Sequence, residues 1–184
     1  MALLYQITAV THKSLANKLQ EILILATNML GLELGLISRI SGETYLVQHS
    51  FSVNNDIQPG AVFDLGITYC SITMQARQVI AIDHMKESAY RGHPCYATNK
   101  LEAYIGTVIL VNGTIYGTLN FSSSQPRPTP FLQADKEFVD LLSRWIGSAL
   151  EQQITDTQLQ ANLIRTEALY RVAQSLIHYA DLPD

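Results

Sequence analysis

The feature that most constrains the fold is the dipeptide Asn112-Gly113, which separates two apolar runs rich in β-branched residues. The runs are Tyr104–Val111 and Ile115–Phe121. A type I′ turn needs positive φ at both central residues, and Asn-Gly adopts that conformation readily. Gly106 and Gly117, inside the runs, indicate a bend or a close approach of another backbone. This stretch predicts an antiparallel hairpin at the centre of a sheet.

The N-terminal part predicts a helix followed by a second hairpin. Apolar residues recur every three or four positions up to about Leu30, with Ser14 as a plausible N-cap and Gly31 as a stop. The segment Leu3–Val10 predicts a separate helical piece. The second hairpin is predicted around Ser41-Gly42, from Leu32–Ile40 and Glu43–Val53, with Tyr45, Val47 and His49 sharing one face.

The middle of the chain predicts short elements separated by loops. Val62–Leu65 predicts a short strand, Ile67–Arg77 a short helix and Val79–Asp83 a buried strand. Met85–Asn99 reads as irregular. After the central hairpin, the Ser- and Pro-rich stretch Ser122–Pro130 ends the sheet.

The C-terminal part, Ala134–Ile177, predicts one long helix with a single heptad register. Alternating steps of four and three residues are what a left-handed coiled-coil seam requires. We therefore predict that a partner helix covers the second half and that the chain is a homodimer. The seam residues assigned to this dimer helix are Leu142, Trp145, Ala149, Leu159, Leu163 and Tyr170.

Composition excludes several classes of protein. Of the 184 residues, 47% are hydrophobic and only 15% are charged, which is typical of a globular domain. A net charge of −4 gives no electrostatic argument for nucleic acid or an acidic membrane as a partner. No run of the sequence favours a membrane span or a secretory signal. Two cysteines are compatible with a reducing compartment, so we predict a cytoplasmic protein.

Five stretches of the sequence together resemble a GAF domain, most closely the GAF modules of cyanobacterial multidomain sensor proteins. They are Gly66–Ser71, Gly92–Tyr96, Leu101–Gly106, Tyr116–Ser122, and Phe138-Val139 with Trp145-Ile146-Gly147. The resemblance implies an α+β fold, in which an antiparallel sheet carries the terminal helices on one face and pocket-forming loops on the other. It also implies a place upstream of further GAF or PAS domains and a histidine kinase. We assign residues 1–152 to the GAF domain and 153–184 to a signalling helix that leads toward a following domain.

The last turns, Glu167–Ile177, look like the opening helix of a following GAF module. A short internal repeat agrees with this, since Leu4-Tyr5-Gln6-Ile7 resembles Leu169-Tyr170-Arg171-Val172. Four similar residues are a weak repeat by themselves.

Eight residues are candidates for binding a small ligand. Thr118 and Asn120 lie on one face of the last strand, opposite Leu119 and Phe121, where two polar side chains face either solvent or a pocket. Tyrosines suit the wall of a pocket for an organic molecule, and equally suit half-buried packing. The full candidate set is Tyr69, Cys70, His93, Cys95, Tyr96, Tyr104, Thr118 and Asn120.

The same residues suggest three more specific functions, which are a bilin site, a redox pair and a zinc site. In bilin-binding GAF domains a loop cysteine attaches the chromophore and is typically followed by His, whereas Cys95 is followed by Tyr96. A redox pair of Cys70 and Cys95 needs the two thiols close together and one of low pKa. A zinc site from these cysteines with His84 and His93 lacks the usual ligand spacing, so no metal is predicted.

No enzyme motif is present. The sequence has no phosphate loop, GxSxG elbow or HExxH helix, so this chain is predicted not to be an enzyme. A free methionine sulfoxide reductase, which shares the GAF fold, is the best enzymatic alternative, but no cysteine cluster supports it.

The sequence thus predicts a sensory GAF module of a cytoplasmic two-component phosphorelay protein, which passes a ligand signal through a dimeric C-terminal helix. The ligand and any cofactor are not identified by the residues. Two alternatives remain open: a dimerisation spacer without a ligand, and a bilin-binding photoreceptor domain with attachment at Cys95.

Overall fold

The central hairpin forms as predicted. A computed structural model describes residues 13–54 and 57–180, with side chains up to residue 174. Strands Ala103–Val111 and Thr114–Ser123 flank a turn in which Asn112 has φ 50° and Gly113 has φ 72°. Both values are positive, as a type I′ turn requires. Two predicted features lie outside the described residues, namely the helical segment Leu3–Val10 and the first half of the short internal repeat.

The hairpin lies within a six-stranded antiparallel sheet, which confirms the predicted α+β class. The strands are β1 Leu34–Ser41, β2 Thr44–Ser52, β3 Val62–Asp64, β4 Ile80–Ile82, β5 Ala103–Val111 and β6 Thr114–Ser123. Their spatial order is β3-β2-β1-β6-β5-β4, so β1 and β6 are central neighbours.

A bulge in the first hairpin changes which residues share a face. The register of β1 and β2 shifts between Ile37 and Ser38, so that Ile37 pairs with His49 and Ser38 pairs with Val47. Tyr45 and Val47 are buried as expected, but beyond the shift the buried residue is Ser50, and His49 is only partly buried. The prediction that His49 continues the face of Tyr45 and Val47 was therefore wrong, because an extra residue reverses the alternation.

Helix α1, Leu15–Leu30, covers one face of the sheet. Ser14 caps it by accepting a hydrogen bond from the Asn17 backbone N–H at 3.3 Å, and Gly31 ends it with φ 64°. Both end signals were predicted. The helix buries apolar residues at helical spacing against β1 and β2, namely Leu19, Ile22, Leu23, Ala26 and Leu30.

The C-terminal helix, α4, runs from Gln133 to Ala180. The described residues fall into two compact units, which divide between Ser148 and Ala149. In the first unit, α4 buries Val139, Leu142 and Ile146, and Gly147 lies against the backbone of Leu110 in β5. Leu141, which precedes the buried Leu142, lies outside this buried face and is 55% exposed.

The second unit is one stretch of α4 from Ala149 onward. Large apolar side chains are exposed along it: Leu159, Leu163, Ile164, Leu169, Tyr170 and Val172 are each at least 58% exposed. Of the residues assigned to the dimer helix, Leu142 is buried within its own chain, whereas Leu159, Leu163 and Tyr170 are exposed. Trp145 and Ala149 are partly buried.

The other face of the sheet carries short elements. A 3-10 turn at Leu65–Ile67 leads into helix α2, Cys70–Ala76, and a second 3-10 turn spans Met85–Glu87. Helix α3, Pro94–Asn99, lies in the stretch we expected to be irregular. Pro94 at its first position favours this start, and His93 caps it. Among the described residues, no helix is both long and apolar enough to cross a membrane.

Candidate functional site

The candidate site is a cavity of about 340 Å³ between the sheet and the segments that carry α2 and α3. Its volume is near the lower end of the range for small-molecule sites. Aromatic and aliphatic side chains form much of its wall: Leu34, Leu36, Tyr45, Ile57, Phe63, Tyr69, Leu101 and Tyr104. Two thiols and a band of polar side chains complete the lining: Cys70, Cys95, Glu33, Ser52, Asn54, Thr68, Asn99, Asn120, Ser122, Ser123 and Ser124.

Cys70 lies at the first turn of α2 and directs its sulfur to the sheet. Its Sγ accepts hydrogen bonds from Thr118 Oγ1 at 3.2 Å, Asn120 Nδ2 at 3.3 Å and the Tyr104 hydroxyl at 3.6 Å. Asn120 Nδ2 also donates to the Tyr45 hydroxyl at 3.1 Å. These groups are all buried, so the network holds α2 against β6 through hydrogen bonds between buried polar atoms.

The environment of Cys70 keeps it a thiol. Burial raises the pKa of Cys70, and this effect outweighs the hydrogen bonds that favour the thiolate. A nucleophilic cysteine needs the opposite balance. Cys70 therefore acts as a buried hydrogen-bond acceptor at the base of the cavity.

Cys95 lines the same cavity from α3. It is 3% exposed, its Sγ accepts a hydrogen bond from Asn99 Nδ2 at 3.6 Å, and burial raises the pKa of its thiol. Both cysteines are free thiols. Tyr69 lies beside Cys95 in the wall, and its hydroxyl donates to the Leu101 carbonyl at 2.9 Å.

His93 lies behind this wall and does not line the cavity. Its Nδ1 accepts a hydrogen bond from the Cys95 backbone N–H at 3.2 Å, so the ring proton belongs on Nε2. Ser71 Oγ lies 2.9 Å from that Nε2 and donates its own proton to the Thr68 carbonyl at 2.8 Å. Partial burial lowers the pKa of His93. The neutral imidazole thus links α2 to α3.

The structure brings together five of the eight candidate ligand residues: Tyr69, Cys70, Cys95, Tyr104 and Asn120 all line the cavity. Thr118 lies one layer deeper, where Ser38 Oγ is 2.8 Å from its Oγ1. Tyr96 does not line the cavity, and its hydroxyl donates a hydrogen bond to Glu102 Oε1 at 2.6 Å.

Sequence reasoning missed the polar mouth of the cavity. Ser122 follows Asn120 at the next alternate position of the last strand, and Ser124 comes directly after the end of that strand, so continuing the period-two pattern that identified Asn120 also points to them. Glu33 carried no such signal. It reaches Ser124 across the sheet end, where its Oε2 accepts hydrogen bonds from the Ser124 backbone N–H and from Ser124 Oγ, both at 2.8 Å.

Glu33 is ionised at the mouth of the cavity. The hydrogen bond from the Ser124 backbone N–H is the main reason that the pKa of Glu33 is lowered, with a further contribution from the Ser124 hydroxyl. Within the described parts of the chain, no group of three or more His, Cys, Asp or Glu side chains is placed to hold a metal ion.

The antiparallel sheet, the covering helices and the cavity under short loop helices define an α+β domain with a cavity on one face of its sheet. The sequence model of the GAF domain matches residues 14–150. The chain therefore belongs to the GAF family, whose members are generally sensory or regulatory modules. No curated protein sequence is significantly similar to it.

Solved GAF domains share this fold at low sequence identity. The GAF domain of a phosphoenolpyruvate-protein phosphotransferase from Coxiella burnetii is 14% identical, with a TM-score of 0.68, and the match covers 85% of this chain and 95% of that one. A phycocyanobilin-bound GAF domain from a cyanobacterial phytochrome is 12% identical, with a TM-score of 0.67 and coverage of 84% and 95%. Free methionine-R-sulfoxide reductase from Neisseria meningitidis is 11% identical, with a TM-score of 0.63 and coverage of 82% and 89%.

Proposed function

We propose that this GAF domain is the sensor of a cytoplasmic two-component signalling protein of the cyanobacterial type. A small organic ligand binds in the cavity between the sheet and helices α2 and α3, and the signal leaves through α4. The observation that carries the proposal is the cavity itself, since it is apolar over most of its wall and has a few polar groups at its base and mouth. That combination is typical of a ligand site.

A physical connection runs from the cavity to α4 through β5. Tyr104 lines the cavity, while Ile105 and Ile109 point to the opposite face, where Ile109 lies near Gly147 of α4. A ligand that displaces Tyr104 therefore acts on a strand that packs directly against the output helix. Closely packed elements change between discrete arrangements, which makes such a contact suited to transmission.

The second half of α4 supports dimerisation as the output. Leu159, Leu163 and Tyr170 are exposed and belong to one heptad register, so a second copy of the helix would bury them together. We propose that residues 1–152 sense the ligand and that residues 153–184 couple the homodimer to a downstream kinase, GAF or PAS domain.

Ligand binding is tested by fragment screening with thermal unfolding as the readout. The variant Ser122→Phe fills the mouth of the cavity, and Ser148→Phe adds the same side chain on the exposed side of α4. We expect fragments to raise the Tm of the wild type and of the Ser148 variant but not of the Ser122 variant. Circular dichroism confirms that both variants fold.

The second candidate function is a dimerisation spacer without a ligand. A spacer needs the exposed helix but no cavity, so the cavity favours a sensor. Failure of every fragment to stabilise the wild type would support the spacer instead. Light scattering tests the dimer separately: Leu159→Glu should reduce the mass to that of a monomer, and a wild type that is monomeric at high concentration contradicts this part.

Attachment of a bilin at Cys95 fits the cavity poorly. The Cys95 thiol does face the cavity, but none of the described lining residues is Lys, Arg or His. The propionate groups of a bilin would therefore lack a cationic partner among them. Absorbance and intact mass of protein produced in cells that make bilins test this alternative, and unmodified mass is the expected result.

A further inference from the structure

Several hydrogen-bond donors around the cavity are used within the protein. The Tyr69 hydroxyl donates to the Leu101 carbonyl at 2.9 Å, and Thr68 Oγ1 donates to the Leu65 carbonyl at 2.9 Å. A hydroxyl has one proton, so each of these groups offers the cavity only its lone pairs. At Tyr69 and Thr68 the wall therefore presents hydrogen-bond acceptors, although both side chains are hydroxyls that could also donate.

Asn120 follows the same pattern at the base of the cavity. Its two amide protons go to the Tyr45 hydroxyl at 3.1 Å and to Cys70 Sγ at 3.3 Å. The group that Asn120 can still offer a ligand is its carbonyl oxygen, Oδ1. This oxygen favours a ligand that donates a hydrogen bond.

Glu33 adds a negative charge at the mouth. Ser124 uses its backbone N–H and its hydroxyl proton on Oε2 of Glu33, both at 2.8 Å. The Ser123 hydroxyl also bonds the carboxylate, whose two oxygens together have lone pairs left for a further donor. No Lys, Arg or His side chain stands among the described residues that line the cavity, so an anionic group on a ligand would meet like charge without compensation.

We propose that this cavity binds a small organic amine, with its apolar body against Tyr45, Phe63 and Leu36 and its ammonium group at Glu33. The proposal rests on the proposed function, since it names the ligand class of that same site. The ammonium group supplies three donors and a positive charge, which match the Glu33 carboxylate and the acceptor oxygens of Tyr69, Thr68 and Asn120. The volume of about 340 Å³ favours a body of one or two rings.

The test uses three probes of nearly equal size that differ in their polar end group, which is a cation in 2-phenylethylamine, neutral in 2-phenylethanol and an anion in phenylacetate. Their affinities for the full chain are measured by calorimetry or by ligand-observed NMR at low ionic strength. We expect the amine to bind about tenfold more tightly than the alcohol, because it forms a charge-assisted hydrogen bond. Phenylacetate should bind more weakly than either.

Two variants test whether the preference for the amine over the alcohol depends on Glu33. Glu33→Gln keeps an acceptor for Ser124 but removes the charge, so the amine should lose its tenfold advantage while the alcohol keeps its affinity. Glu43→Gln removes an acid that does not line the cavity and should change neither.

The possible outcomes distinguish the proposal of an amine ligand from the proposal that the domain is a sensor. Tighter binding of phenylacetate, or an amine preference that survives Glu33→Gln, overturns the amine proposal and leaves a ligand-binding cavity. Absence of binding by all three probes, together with no stabilising fragment of any charge, overturns both the amine proposal and the sensor.

Discussion

Gly147 provides a sharp test of how α4 packs on the sheet. A Cβ atom at this position would lie 2.2 Å from the carbonyl oxygen of Leu110, and that oxygen is part of the backbone of β5. An ordinary contact needs about 3.4 Å or more, so α4 and β5 would have to separate by about 1 Å. A backbone oxygen in a strand cannot rotate away as a flexible side chain can.

Two effects of the substitution Gly147→Ala oppose each other. Alanine is a better helix former than glycine, which by itself would stabilise the helix by about 1 kcal/mol. Forcing extra volume into a packed contact costs about 1–3 kcal/mol, and more when backbone must move. Since the contact here is with backbone, we expect the clash to prevail and the free energy of unfolding to fall by roughly 2 kcal/mol, which lowers the Tm by about 4–8 °C.

The measurement is thermal and urea unfolding of Gly147→Ala beside a matched control. Ser148→Ala adds a good helix former one residue later, where the side chain is exposed, and should leave the Tm unchanged or slightly raised. A Gly147→Ala protein as stable as the wild type would mean that α4 does not approach β5 this closely, and the proposed route from the cavity to α4 would lose its physical basis.

Three further predictions concern single side chains. His93→Asn should flatten the pH dependence of stability: burial lowers the pKa of His93, so its contribution is present above about pH 6.5 and is lost as the pH falls toward its folded pKa. Cys70 and Cys95 should react with a thiol reagent only slowly in the native protein, because both are buried thiols of raised pKa. Arg127→Gln should reduce the free energy of unfolding by about 2 kcal/mol, because the guanidinium binds the Leu30 carbonyl at the end of α1.

Each of these has a direct check. As the pH is lowered from 7.5 to 5.5, the Tm of the His93→Asn variant should fall less steeply than the Tm of the wild type. Asn at this position remains a good N-cap residue, so the cap itself is kept. Equal slopes for the two proteins would refute the role of this titration. Two thiols that react as fast in native as in denatured protein would contradict the burial of both cysteines. Chemical denaturation measures the free energy of unfolding of Arg127→Gln, and Arg144→Gln is the control at an exposed arginine. Equal stability of the two variants would contradict a stabilising hydrogen bond from Arg127 to the end of α1.

Much of the fold follows from local sequence. The Asn112-Gly113 turn, the Ser14 cap and the Gly31 stop act over a few residues, so the chemistry of those residues is sufficient to predict them. The long helix is equally local in origin, because its apolar spacing persists without a breaker.

The first hairpin shows where local reasoning ends. The bulge at Ile37 and Ser38 cannot be seen in the alternation of β2, and it moved His49 off the expected face. Helix α3 was missed for a similar reason, since only six residues form it and its cap is the imidazole of His93. A short helix has too little periodicity to stand out from a loop.

The sequence by itself determined the strands, the helices α1, α2 and α4, and the family, because these depend on short patterns of polarity and turn chemistry. It also placed Asn120 on a polar strand face, which the cavity now occupies. Only the tertiary structure decided which polar atoms have hydrogen-bond capacity left. Glu33 and Ser124 are 91 residues apart in the chain, and the protons of Tyr69 and Asn120 go to partners at least 30 residues away. Long-range pairing therefore sets the chemistry that the cavity presents to a ligand.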